Sequence, residues 1–262
     1  MRANFSEFSY GYATIREAEA VITALYRQHE APKMPSLREE KDLGWDARIA
    51  TVDYALFMQF KVAEYISRRN PSSPTWGGVG VPHYRVTIDT DGHQHEALLR
   101  LEKKLTEAGE FGDVYYVAPI FHLREDFDQV YITEEVLDRS VIVSPSEFGE
   151  ADGVHHYVTE PTTGKEQVFS TPRSPRSRVH WEELQWRARN RAIGEIEKPN
   201  ARSMPLEELE SLLVSVLRES NISVEFGLND RTATARRIDR LAAVLGCGLV
   251  LIPNRRNETT SD

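Results

Sequence analysis

In the run YALFMQFK, Tyr54 to Lys61, a strongly apolar segment carries a glutamine and a lysine two positions apart. A buried strand ordinarily holds neither side chain. Alternate residues of a strand share a face, so Leu56, Met58 and Phe60 point one way while Phe57, Gln59 and Lys61 point the other. The first set reads as core, the second as the wall of a polar site. Just upstream, WDARIA (Trp45–Ala50) also reads as a β segment, and the joining TVD is short enough for a hairpin. A turn centred between Val52 and Asp53 sets Asp46 opposite Gln59 on one face, and a one-residue slip would reverse this. In that hairpin Asp53 is a turn former. A carboxylate and a carboxamide oxygen suit Mg²⁺ or Mn²⁺, hard cations that keep several waters. Metal-bound water is a stronger nucleophile, and an adjacent ammonium can orient it or stabilise charge on a phosphate. These residue types therefore point to metal-assisted hydrolysis of a phosphodiester.

The elements that must position this wall follow from periodicity. Thr14 to His29 reads as an amphipathic helix with Ala18, Val21, Ile22, Leu25 and Tyr26 on one side, Thr14 as N-cap and Glu17 three residues on. Both Glu17 and Glu19 flank the apolar stripe. Further strands are expected at His83–Ile88, in DVYYVAPIF, VIVSPSEFG, HHYVTE and EQVFSTP, and in the terminal CGLVLIP. Helices are expected over Gln94–Glu107, in HWEELQWRARNRAIGEIE, in LEELESLLVSVLRE and in ATARRIDRLAAVLG. This order implies an α/β fold. A boundary near STPRSPRSR would divide a domain over 1–172 from a C-terminal α/β extension over 173–253, although one domain fits equally; the tail 254–262 reads as disordered.

Helix-Glu, then Asp, then Gln-x-Lys resembles the PD-(D/E)XK nuclease superfamily, and in particular the Mrr-like restriction endonucleases in which glutamine replaces the second acid. The matching residues are Glu17, Asp46, Gln59 and Lys61, with Trp45 where the family has a proline. The resemblance implies a restriction-endonuclease-like mixed sheet flanked by helices. It implies that Asp46 and Gln59 hold Mg²⁺ (or Mn²⁺), that Lys61 positions the attacking water and that Glu17 assists through the metal's water shell. It also implies an endodeoxyribonuclease acting in restriction or anti-phage defence. The motifs occupy about the first 65 residues.

Composition limits the partners. With 32 Lys and Arg against 41 Asp and Glu, the net charge of −9 disfavours passive binding to nucleic acid, so phosphate contacts must be local or supplied by a partner protein. Candidate backbone contacts are Arg68 and Arg69 after the motif strand, and Arg187, Arg189 and Arg191 in a later helix. A homodimer would suit cutting of both strands. No apolar run is long enough for a membrane span and no secretory signal core is present, so a cytoplasmic protein is expected. The single Cys247, in an apolar segment, reads as a buried thiol. Asp89, Asp91, His93 and His95 crowd one segment, but Asp91-Gly92 reads as a turn and His93 as a helix cap. His155 and His156 point to opposite faces of a strand, and His122 lacks a visible partner. Glu39 and Glu40 read as a solvated face. No G-x-S-x-G elbow or phosphate-binding P-loop is present. The alternative to an enzyme is a nuclease-fold subunit that binds or assembles without cutting; a third reading makes Asp46 and Lys61 a buried ion pair that fixes the hairpin.

Overall fold

The apolar run around Gln59 forms the middle of a mixed β-sheet. The computed structural model describes residues 1–26, 51–69, 75–109, 111–150, 152–169, 179–187, 203–223 and 234–253. In chain order the elements are α1 (Glu7–Tyr26), β1 (Thr51–Phe60), β2 (Glu64–Ile66), α2 (Trp76–Val79), β3 (His83–Asp89), α3 (His93–Glu107), β4 (Gly112–Pro119), α4 (Arg124–Thr133) and β5 (Ser140–Val143). They continue with β6 (Val154–Thr159), β7 (Glu166–Phe169), α5 (181–187), β8 (Met204–Pro205), α6 (Leu206–Glu219), α7 (Thr234–Val244) and β9 (Cys247–Pro253). The class is α/β, as the alternation of periods implies.

In the central sheet β1 runs parallel to β4 on one side and antiparallel to β9 on the other, and β5 extends the sheet antiparallel to β4. The short β8 meets the start of β1. A second, antiparallel sheet has the order β2-β3-β6-β7. Alternation along β1 builds two cores. Ala55 and Phe57 pack with Leu98 and Leu101 of α3, Leu209 and Leu213 of α6, and Ile238 and Leu241 of α7. Leu56, Met58 and Phe60 pack with Tyr10, Ile15 and Ala18 of α1, Phe127 of α4, and Trp181 and Leu184 of α5. Each fully buried Leu or Phe contributes roughly 1.5–3 kcal/mol, so the period-2 pattern of β1 suffices to hold helices on both faces.

The structure corrects several local expectations. No turn occurs at Val52 and Asp53: both lie inside β1, and Asp53 is buried where the pairing with β9 shifts register. The hairpin that set Asp46 beside Gln59 needs a free edge of β1, and at Gln59 both edges are taken, by Tyr116 and Cys247. Residues 45–50, Asp46 among them, lie outside the described residues, as do Glu39 and Glu40. Helix α1 starts seven residues before Thr14. Ser6 is its cap, with Oγ accepting from the Ser9 amide at 3.0 Å, whereas the Thr14 hydroxyl donates to Tyr10 O within the helix. Gly92, not His93, occupies the cap position of α3. Across the boundary considered near residue 172, β9 lies beside β1, and α6 and α7 share a core with α3, an arrangement that the one-domain alternative accommodates. Helix α4 is an element that the sequence pattern did not reveal.

Candidate functional site

Parallel strands β1 and β4 end side by side, and the crevice outside the carboxyl ends of parallel strands is where α/β sheets bind ligands. Lys61 is the first residue past β1. Its amide still donates to Val117 O at 2.9 Å, so the main chain is anchored where the side chain leaves the sheet. The side chain is half-buried, and among the described residues its ammonium has no hydrogen-bond or ion-pair partner. Helix α3 returns antiparallel to these strands, so its first turn reaches the same rim, as does the turn from α7 into β9. α1 arrives there too. Gly248 pairs with Met58, and a Cβ on it would lie 2.4 Å from Ile15 and 2.8 Å from Phe60; a Cβ on Gly11 would lie 2.7 Å from Phe60. Climbing β1, one therefore descends α1 toward its start.

Gln59 is 4 % exposed and faces α3, not open solvent. Its Oε1 accepts from Gln94 Nε2 at 2.9 Å, and its Nε2 donates to Phe60 O at 3.3 Å. Gln94 Nε2 also donates to Leu245 O at 3.2 Å. Gly246 makes this clasp possible: its φ of +73° favours glycine, and a Cβ there would stand 2.3 Å from Gln94 Nε2 and 2.8 Å from Gln59 Oε1. Gln59 thus ties β1, α3 and the α7–β9 turn together. Gln94 and Gly246 had no local signal, because three distant segments compose the clasp.

The other expected site residues are placed as follows. Glu17 lies on the opposite face of the sheet from Gln59. It is buried, and its carboxylate accepts from the amides of Val136 at 2.7 Å and Leu137 at 3.2 Å, which caps the turn after α4. Burial raises its pKa, partly opposed by those two amides. Burial alone raises the half-buried Glu19. The structure therefore brings Gln59 and Lys61 to one end of β1 and does not bring Glu17 to them. Arg68 and Arg69 are exposed just beyond β2. Arg187 donates to the Tyr115 hydroxyl at 3.0 Å and to Glu183 at 2.8 Å, with Asp113 at 3.6 Å. Asp113 pairs with Leu56, five residues and so about 16 Å along the strand from Lys61. Arg189 and Arg191 lie outside the described residues.

Several of the described histidines have structural partners. His95 sits between the Tyr116 hydroxyl, 2.9 Å from Nδ1, and Gly149 O, 2.8 Å from Nε2. The carbonyl can only accept, so Nε2 carries the proton and Nδ1 accepts from tyrosine. Burial lowers its pKa, which suits that neutral ring. His155 bonds Asp152, His156 meets Thr87 on the other face, and His122 stacks on Tyr65 beside the Tyr84 hydroxyl. Burial pushes the Cys247 thiol up to about 12, which makes it inert.

Among the described residues no group of three or more His, Cys, Asp or Glu side chains is placed to hold a metal ion. The Gln59 oxygen is already accepting from Gln94, so the described residues do not by themselves compose a Mg²⁺ site. No helix among them is long and apolar enough to cross a membrane. Comparison with protein-family models, curated proteins and solved structures finds no match to this chain.

Proposed function

We propose that this chain is a metal-dependent nuclease that hydrolyses DNA phosphodiester bonds, on a restriction-endonuclease-like α/β scaffold. The observation that carries the reading is Lys61: a half-buried residue whose ammonium is unpaired among the described residues, at the carboxyl rim of two parallel strands. A cation that folding leaves unpaired is available to an incoming phosphate through charge-assisted hydrogen bonds. The mixed sheet with helices on both faces is compatible with the scaffold. Asp46 is the carboxylate this reading requires for Mg²⁺, with Gln59 in a supporting role through its clasp. Bound there, the cation would supply Lewis acidity at a phosphate oxygen. Arg68 and Arg69, exposed on the chain leaving the rim, are the described candidates for backbone contacts.

Plasmid incubated with the protein and Mg²⁺ should be cut, EDTA should stop cutting, and Lys61→Ala and Asp46→Asn should each lower the rate by 100-fold or more. Cutting that survives both substitutions would remove the assignment. One observation favours a second reading, a nuclease-fold subunit that binds or assembles without cutting: Gln59 is engaged by Gln94 rather than open to a ligand. In that case DNA is retained on a filter and never cleaved.

A further inference from the structure

Past the parallel strands, the chains that leave β1 and β4 stay together as far as His122. The Lys61 amide bonds Val117 O, and four residues on, the Tyr65 ring stacks on the His122 ring with centroids 4.7 Å apart. The alternation of β4 carries into this segment. Ala118 and Ile120 face the core of Phe57 and α3, while Val117 and Phe121 face the core of α1. His122 falls in step with the first pair, and both its ring partners, Tyr65 and Tyr84, pack with that same core. Lys61, in step with Phe57 and Gln59, leaves the sheet on this side too. Four extended residues span at most about 14 Å and neighbouring strands lie about 4.8 Å apart, so the backbones of Lys61 and His122 are within about 15 Å, a gap that the two side chains and a phosphate can bridge. The imidazole is 8 % exposed. Its Nδ1 lies 3.1 Å from the Tyr84 hydroxyl, whereas Nε2 has no partner among the described residues and is not sealed from solvent. A side chain buried to this degree ordinarily has its polar atoms paired; here one nitrogen stays open to a ligand.

We propose that His122 is the general base of the rim: Nδ1–H donates to the Tyr84 oxygen, which orients the ring, and Nε2 takes the proton of the water that attacks a phosphate held by Lys61. This rests on the nuclease reading above. In the step, the water oxygen forms the new bond to phosphorus as its proton passes to Nε2. The bond from phosphorus to the leaving sugar oxygen breaks, and that oxygen takes a proton from solvent. The imidazolium then returns its proton to solvent. Burial lowers the pKa of His122, opposed by the charge of Asp126 and aided by the amino group of Met1, so the ring is neutral and its lone pair available near neutral pH. The titratable and charged groups facing it are Tyr65 from β2, Tyr84 from β3, Asp126 from the first turn of α4, and the Met1 amine, which donates to Tyr65 O. Burial, Tyr65 and Asp126 push the Tyr84 phenol up to about 12 against the charge of Arg139, so that phenol keeps its proton. Glu64 and Arg85 pair with each other on the opposite face of β2 and β3.

The test is the pH dependence of cleavage of a labelled DNA duplex by the full chain with Mg²⁺, for wild type, His122→Ala, His122→Asn and Tyr84→Phe. The wild-type rate should rise with pH along an acidic limb. His122→Ala and His122→Asn should lower kcat about 100-fold or more, leave KM near its value and abolish that limb, and added imidazole should partly restore His122→Ala. Tyr84→Phe keeps the imidazole but removes an acceptor that binds its charged form more strongly, so the limb should move to lower pH. A limb that survives in His122→Ala, or stands unmoved in Tyr84→Phe, overturns this inference and leaves the nuclease reading standing. A wild type that cuts nothing overturns both. Circular dichroism and melting of His122→Asn matching wild type exclude misfolding as the cause of its loss; where they do not match, the limb of Tyr84→Phe decides.

Discussion

Arg187 and Lys61 are both cations beside the parallel pair β1 and β4, yet they sit at opposite ends of it and keep different company. At the amino end, the Tyr54 hydroxyl donates to Asp113, and Arg187 spans Tyr115, Glu183 and Asp113. Burial and the Asp113 charge raise both phenols, which therefore stay protonated and act as fixed donors or acceptors. At the carboxyl end, Gln59 is clasped by Gln94 but Lys61, two residues on, has no such partner among the described residues. The amino end joins α5 to the sheet and spends its charges doing so. The carboxyl end holds its backbone firmly and leaves an ammonium available, a division of labour that suits a scaffold and a site.

Substitutions can break or sharpen this contrast. The largest effect is expected at the rim's own clasp. Gly246→Ala adds a Cβ against Gln94 and Gln59 at a positive φ, and should cost about 2–4 kcal/mol in urea unfolding. A variant as stable as wild type would show that the clasp is not what fixes this end.

Acid should act next. His95, packed against Tyr116 opposite Gln59, has its pKa lowered by burial, so the unfolded chain binds its proton more readily than the fold. The stability it contributes is complete above the ordinary histidine value of about 6.5 and is lost as pH falls below that toward the folded value. Each such histidine adds a slope of at most about 1.4 kcal/mol per pH unit. The other histidines lowered by burial, His83, His122 and His156, act in the same direction. Unfolding midpoints at pH 7.5 and 5.5 should differ less in His95→Gln than in wild type; an equal difference would place the acid sensitivity elsewhere.

The smallest effects separate the two cations directly. Arg187→Met should cost about 1 kcal/mol, because it strips a partly buried network. Lys61→Met should stay within about 0.5 kcal/mol of wild type, because no described partner is lost. Equal losses in the two variants would erase the distinction on which the proposed site rests.

Much of the fold was legible in sequence. The alternation in Tyr54–Lys61 identified a two-faced strand, and β1 buries Phe57 and Leu56 in different cores. LEELESLLVSVLRE folds as α6 and CGLVLIP as β9, both strongly periodic or bounded by Gly and Pro. The start of α1 was missed because Gly11 and aromatic residues precede the aliphatic stripe, while Ser6 had already supplied the cap. Lys61 was legible as a polar residue sharing a strand face with Gln59.

Pairing was not legible. Local periodicity states which residues share a face, but a strand's neighbours are chosen by whichever segments bury the most surface against it. Here β1 took β4 and β9, from 112–119 and 247–253, and left no edge at Gln59 for a hairpin with 45–50. The same long-range choice gave Glu17 to the backbone of Val136 and Leu137 and turned Gln59 toward Gln94. The residue types at the rim were set by sequence alone; which of them meet was decided by contacts between segments far apart in the chain, whose energies no short window contains.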